Sequence, residues 1–253
     1  MTAPIALQLY TIRETLAQDF AKGVERIAGI GYAGVETAGF PGTTPEAAAH
    51  LFKDLGLAVA GAHLSLPTGE QKNQVLDTLA ALGCRRLICP YLPPEHFQTE
   101  RGIHQVCEML NDAQVVAEEN GISIGYHNHW WEFYEVNGRL AHDIQREYLK
   151  PSIFFEIDTY WVKTAGADPV AVVRGLGRRA PLLHIKDGPC VQNQPMVAVG
   201  AGEMDIRSVI QAGDENTEWL IVELDACATD MVEAVEKSYR YLVDKGLGHG
   251  NQS

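Results

Sequence analysis

The sequence predicts an α/β chain closed into a single (β/α)8 barrel. The 253 residues, 46% of them hydrophobic, match the roughly 250 residues typical of one such barrel. Short apolar runs alternate with longer amphipathic ones, eight of each. No Pro/Gly/Ser-rich linker or charge run divides the chain, so residues 1–253 are expected to form one domain.

The strand-like run Ile5–Tyr10 precedes Phe20–Ile30, which places Phe20, Val24, Ile27 and Ala28 on one helical face. Gly34–Ala38 leads to a helix opened by Thr44-Pro45-Glu46, a Thr cap with Pro at the first helical position. Ala58–Leu64 precedes Gln71–Leu82, Arg86–Tyr91 precedes Ile103–Asn120, and Ile122–Asn128 precedes Arg139–Tyr148. Ile153–Asp158, Leu182–Asp187 and Trp219–Asp225 precede Asp168–Gly175, Asp205–Ala212 and Thr229–Lys245. The short runs are rich in Ile, Val, Leu and aromatics, as buried parallel strands are. Gly31, Gly56, Gly83, Gly121 and Gly246 follow helical runs, where a left-handed residue closes the helix. A doubly wound open sheet would carry a Gly-rich phosphate loop after its first strand; Gln8-Leu9-Tyr10-Thr11 stands there instead.

The net charge of −13 disfavours a nucleic-acid partner, since an acidic surface repels phosphates. The five cysteines, Cys84, Cys89, Cys107, Cys190 and Cys227, form no C-x-x-C pair and fit a reducing, cytoplasmic compartment. Met1–Ile5 runs into a strand with no basic n-region and apolar h-region, so no signal peptide is expected. No apolar run approaches the ~20 residues that span a bilayer, so no membrane partner is expected.

Chemistry in a (β/α)8 barrel sits at the C-terminal strand ends. The fifth run here leads into Tyr126-His127-Asn128-His129-Trp130-Trp131-Glu132, the sixth ends Glu156-Ile157-Asp158, the seventh reads His184-Ile185-Lys186-Asp187, and the eighth Glu223-Leu224-Asp225. Charges are normally kept out of strand interiors by desolvation. Their recurrence at one end of four consecutive strands calls for a shared explanation, and one divalent cation supplies it. Glu132, Asp158, His184 and Glu223 offer three carboxylates and an imidazole, a set suited to Mn2+, Mg2+, Co2+ or Zn2+. His63, ending the third strand, is expected to line a substrate pocket, and Trp130, Trp131, Tyr160 and Trp161 to cluster beside the metal and pack against the substrate. Glu156 shares its strand face with Asp158 and is expected to find a partner in Lys186. Asp187 and Asp225 are expected to orient ligands. Gly200-Ala201-Gly202-Glu203 reads as a loop over the site, with Asp205 capping a helix.

These motifs resemble the sugar phosphate isomerase/epimerase family of the xylose isomerase-like TIM barrels, a group that includes D-tagatose 3-epimerase and inosose dehydratase. The resemblance covers nearly the whole chain. It implies a metal held by Glu132, Asp158, His184 and Glu223. In the epimerases the first Glu lies within the fifth strand, where this chain has Tyr126 or His127; inosose dehydratase-like members place it later, as with Glu132.

Three activities follow as expectations. In an isomerase or epimerase acting on a sugar or polyol, Glu223 takes a proton next to a carbonyl, Glu132 or His129 returns it on the other face, and Lys186 stabilises the enediolate. In a lyase or dehydratase on a keto-sugar, inosose or 3-keto-glycoside, His127 or His129 is the base. The third reading is a metal-dependent sugar-binding protein without turnover. Arg85-Arg86 and Arg178-Arg179 precede strands, away from the active end, which favours an unphosphorylated substrate. A homo-oligomer is compatible with such a barrel, but no segment identifies an interface.

Overall fold

The computed structural model describes residues 2–251, the side chain of residue 214 excepted. Eight parallel strands close into a barrel: β1 (Ile5–Gln8), β2 (Gly34–Thr37), β3 (Ala58–His63), β4 (Arg86–Cys89), β5 (Ser123–His127), β6 (Phe154–Asp158), β7 (Leu182–Ile185) and β8 (Trp219–Val222). Each strand pairs with its sequence neighbours, and β1 pairs with β8 to complete the ring. The returning helices are α1 (Phe20–Ile30), α2 (Pro45–Asp54), α3 (Lys72–Leu82), α4 (Glu100–Glu119), α5 (Ala141–Tyr148), α6 (Pro169–Leu176), α7 (Ile206–Gly213) and α8 (Met231–Asp244). Among the described residues no helix is long and apolar enough to cross a membrane.

The helix ends follow local chemistry. Thr44 Oγ1 accepts from Ala47 N with Pro45 at the first position of α2, and Asp19, Thr99, Asp168 and Asp230 cap α1, α4, α6 and α8 in the same way. Gly31, Gly56, Gly83, Gly121 and Gly246 all have positive φ, as expected of residues that end helices.

The strands are shorter than the apolar runs. Tyr10, Leu64, Tyr91, Asn128, Asp187 and Asp225 lie past the ladders, in the loops that form the barrel mouth. After β1 the chain turns through a 3-10 helix, Leu9–Ile12, into a short helix, Arg13–Gln18. The helix expected over Arg139–Tyr148 begins only at Ala141, because Arg139–Leu140 pairs antiparallel with Glu135–Val136. Asn137 and Gly138 turn that hairpin with φ of 54° and 79°; Asn-Gly is the pair such a tight turn favours.

The core has two parts. A large outer layer lies between barrel and helices, and a small cluster of Ala6, Ala60, Ile88, Phe154, Leu182 and Ile221 fills the barrel interior. Glycines make room for the largest interior side chains. A Cβ on Gly125 would stand 2.2 Å from the Phe154 ring, and one on Gly34 would stand 2.9 Å from Trp219.

Candidate active site

Successive strand residues alternate between faces, so the interior can be followed upward two residues at a time. β6 presents Phe154, Glu156 and Asp158; β7 presents Leu182 and His184, with Lys186 just beyond its end; β8 presents Ile221, with Glu223 beyond. The lower members are apolar and the upper ones ionisable. Gln8 on β1, Glu36 on β2, His63 on β3 and His127 on β5 join them at the upper level.

Glu36 and Glu156 form the deeper half of the site. Gln8 Nε2 donates to Glu36 Oε2 (2.7 Å), which lies 2.8 Å from His184 Nε2 and 3.1 Å from His63 Nε2. Glu156 Oε2 lies 2.7 Å from His63 Nε2, 3.1 Å from His127 Nδ1 and 3.2 Å from His184 Nε2. Three histidines therefore surround Glu156, not Lys186 as expected from sequence. Lys186 Nζ is drawn to a denser group of carboxylates above: Asp158 Oδ2 at 2.8 Å, Glu223 Oε2 at 2.7 Å and Asp225 Oδ2 at 2.7 Å. His184 joins the two halves, since its Nδ1 lies 2.7 Å from Glu223 Oε2.

The electrostatics follow from this packing. Burial opposes charging His63, but Glu36 and Glu156 outweigh it and raise the imidazole to about 10. His184 is likewise raised well above its usual value by Glu156 and Glu223 against burial. Burial lowers His127 strongly, helped by the neighbouring His184. Glu223 stays ionised because Lys186 and His184 overcome burial, whereas burial raises Asp158 to about 6 despite the same two cations. Five carboxylates (Glu36, Glu156, Asp158, Glu223, Asp225) thus crowd around Lys186, His63 and His184.

The donors fit a divalent cation. Two overlapping sets bring one ligand atom per residue within 4.8 Å of each other: His63, His127, Glu156 and His184; and His127, Asp158, His184 and Glu223. Mixed imidazole and carboxylate donors without thiolate suit Zn2+, Mn2+ or Co2+. Among the described residues, Glu36 Oε1 and Glu156 Oε1 are buried without a hydrogen-bond partner, which is costly unless something further engages them.

Glu132 has a different place from the one expected. It belongs to neither set. Its Oε1 accepts from Tyr126 Oη (2.6 Å) and its Oε2 from His129 N (2.9 Å). Tyr126 alternates with His127 and faces the outer layer, where it packs on Phe97, and Glu132 follows it there. Burial raises Glu132 to about 8, with the Tyr126 bond acting against it. His127 takes the inward position on β5 and stands in both sets.

Asn128 braces the adjoining strand end. Its Oδ1 accepts from Asp158 N (3.0 Å) and its Nδ2 donates to Asp158 O (3.2 Å), just beyond the last pair of the β5–β6 ladder, His127 with Glu156. Asp158 Oδ1 accepts from Trp161 N (3.0 Å), starting the short helix Thr159–Thr164. Asp187 orients no ligand side chain; its carboxylate accepts from the backbone N of Gly188, Gly200, Gly202 and Met204. The Gly-Ala-Gly segment thus wraps a buried carboxyl group, and a Cβ on Gly202 would stand 2.2 Å from Asp187 Oδ1. Asp205 caps α7 through Ser208 N.

A mouth cavity of about 370 Å³ opens above these groups, lined in part by His63, Tyr91, His127, His129, Glu223 and Asp225. Burial lowers His129 to about 2, so its imidazole is neutral; it stacks on Trp131 at 4.3 Å. Trp130 and Trp161 pack on each other at 4.8 Å. Trp161 backs Lys186, whose Nζ lies 5.4 Å from its ring, and Trp130 lines a neighbouring cleft. Arg86 and Arg179 bond to backbone carbonyls and, for Arg86, to Glu218.

Sequence reasoning passed over Gln8, Glu36 and Asn128. Glu36 had a usable signal, a carboxylate inside the apolar run Gly34-Val35-Glu36-Thr37, the same anomaly that marked strands five to eight.

Residues 24–244 match the model of the xylose isomerase-like TIM barrel family. A sugar phosphate isomerase/epimerase from Parabacteroides distasonis is 27% identical, with a TM-score of 0.82 over 96% of this chain and 94% of that one. An L-ribulose 3-epimerase is 15% identical (TM-score 0.70, 97% and 94% covered). The IolI protein, whose structure holds a zinc atom, is 14% identical (TM-score 0.69, 95% and 97% covered). At such identities these last two likenesses concern the fold alone. No curated protein matches the sequence. The family match spans most of the chain, and the chain belongs to the xylose isomerase-like TIM barrels.

Proposed function

We propose that this chain is a metal-dependent sugar or polyol isomerase/epimerase that moves a proton at a carbon next to a carbonyl. One observation carries the reading: Glu223, held ionised, lines the mouth cavity within a set of four ligand-type side chains. Those four, His127, Asp158, His184 and Glu223, would hold the metal. A bound divalent ion supplies Lewis acidity, which polarises a carbonyl and acidifies the neighbouring C–H.

The remaining roles belong to the chain. Glu223 Oε2 carries the contacts to His184 and Lys186, which leaves Oε1 to take the proton. Lys186 brings a fixed positive charge against Glu223 and Asp158 and offsets charge that develops on the substrate oxygen. His129, neutral and on the same cavity wall, offers a hydrogen-bonding imidazole to the substrate; Glu132, behind the β5 loop, positions His129 through its backbone bond. The names of the similar structures, sugar phosphate isomerase/epimerase and L-ribulose 3-epimerase, support a small sugar as partner.

A lyase is the second reading, favoured by His127 at the inward β5 position where epimerases have Glu. Abstraction of the same proton followed by loss of a β-oxygen substituent would give an unsaturated product. Incubation in D₂O with Mn2+ and a panel of ketohexoses, inososes and 3-keto-glucosides, read by NMR, tests both. Deuterium next to the carbonyl with stereoisomer exchange supports the epimerase, and an alkene signal the lyase. Metal binding without exchange in any member would overturn proton transfer on these substrates.

A further inference from the structure

Glu36 and Glu156 are fully buried in the deeper half of the site, and each meets an imidazole of the proposed metal set. His184 Nε2 lies 2.8 Å from Glu36 Oε2, while its Nδ1 lies 2.7 Å from Glu223 Oε2. His127 repeats the arrangement with its nitrogens exchanged: Nδ1 lies 3.1 Å from Glu156 Oε2, and Nε2 faces Asp158 Oδ2 at 3.8 Å. Each ring thus turns one nitrogen to a deep carboxylate and the other to the carboxylates nearer the mouth.

Glu36 is fixed in place from two sides. The register of the β2–β3 ladder shifts between Val35 and Glu36, an irregularity of the kind that re-aims a side chain. Glu36 pairs there with Gly61, where a Cβ would stand 2.6 Å from Glu36 Oε1 and 2.5 Å from Ile88 Cδ1. The missing side chain leaves room for the carboxylate. From the β1 side, Gln8 Nε2 donates to Glu36 Oε2 (2.7 Å), and Gln8 Oε1 accepts in turn from Tyr10 N (3.0 Å).

A neutral imidazole carries one N–H, and the hydrogen bond that the ring makes decides which nitrogen keeps it. An ionised carboxylate accepts and cannot donate. We propose that Glu36 and Glu156 are positioning residues, which keep the protons on His184 Nε2 and His127 Nδ1 and so leave His184 Nδ1 and His127 Nε2 as lone pairs for the metal. The inference rests on the metal-dependent function proposed for the site and names what orients its two nitrogen ligands. A second ion on the set His63, His127, Glu156 and His184 fits less well. Alongside the first, it would need His127 and His184 to coordinate through both nitrogens and give up every ring proton.

The test reads tautomers and metal affinity and needs no turnover. Zn2+ is diamagnetic, so the ring protons of the Zn2+-loaded protein can be followed by ¹H–¹⁵N correlation NMR of the imidazoles. In the parent, His184 is expected to be protonated at Nε2 and His127 at Nδ1. Zn2+ affinity, measured by competition with a chromophoric chelator, is expected to fall about 10- to 100-fold in Glu36→Gln, whose amide can donate to the ring as well as accept from it. Gln8→Leu, which keeps the carboxylate and frees it on one side, is expected to lose less. The opposite tautomers in the loaded parent, two Zn2+ bound per chain, or an unchanged affinity in Glu36→Gln would each overturn the assignment. The first two are read on the parent and do not depend on a variant that folds. A parent that binds no divalent ion would strike the metal reading itself; a parent that binds Zn2+ with either ring in the opposite tautomer would strike this inference alone.

Discussion

The two ends of the barrel interior have the same backbone and opposite contents. At the lower end, Phe154, Leu182 and Ile221 pack with Ala6, Ala60 and Ile88. Two residues higher on the same strands stand Glu156, His184 and Glu223, ionisable groups 0–4% exposed. Hydrophobic burial and dispersion hold the first region together. The second crowds carboxylates in a desolvated space and relies on Lys186, on the histidines that bridge them and, as proposed, on a metal. One end therefore stabilises the barrel, and the other places reactive groups at some expense in stability.

This contrast can be tested from both sides. Phe154→Ala is expected to destabilise by about 3–5 kcal/mol, since the ring fills space next to Gly125; urea unfolding measures it. A loss below about 1 kcal/mol would mean that the lower end is not the structural one. Glu223→Gln should do the reverse, lowering exchange or turnover by about 10²–10⁴ with an unfolding midpoint close to the parent's. Activity retained in Glu223→Gln would remove its role as base.

A smaller effect sharpens the upper end. Mn2+ or Zn2+ at a hundredfold excess over its Kd is expected to add about 2.7 kcal/mol of stability, visible as a rise in Tm. His184→Ala, which removes a donor common to both ligand sets, should abolish the rise. No divalent ion shifting the parent's Tm would sink the metal site.

A last effect, read as a slope with pH, concerns a histidine outside the barrel. His142 on α5 stacks on Phe133 at 4.8 Å and packs on Phe155 at 5.0 Å. Burial first, then Arg146 and Arg179, lower it to about 3, whereas carboxylates raise His63 to about 10. Between the unfolded value of about 6.5 and about 3, the unfolded chain binds a proton that the folded one refuses. Stability therefore falls as pH falls through that window, by at most about 1.4 kcal/mol per pH unit from this group. His142→Phe is expected to flatten that part of the stability–pH curve, followed by urea titrations from pH 7 to 4; an unchanged slope would show that His142 is not its source.

Elements whose causes are local could be read directly from the sequence. The helix over Phe20–Ile30, the Thr44-Pro45 start and the five glycine stops depend on periodicity, capping and left-handed backbone within a few residues. Asn137-Gly138 carried a comparable signal for the hairpin that shortens the expected helix at Arg139. Strand-end chemistry was partly legible, because charge in an apolar run is anomalous wherever it occurs; that logic reaches Asp158, His184 and Glu223, and applied to β2 it reaches Glu36.

The closed barrel decided what each of those side chains meets. Glu36 and His184 lie 148 positions apart in the chain and 2.8 Å apart in space, a contact that only ring closure creates. Glu132 and His127 are five positions apart, yet strand alternation sends His127 inward while Tyr126 holds Glu132 behind the loop. Asp187 was legible as an acid at a strand end, but the four backbone donors that surround it come from a loop folded back over it. Local forces act through bonded neighbours and can be inferred from order alone. Electrostatic partnership depends on distance through space, and that is set by the packing of the whole chain.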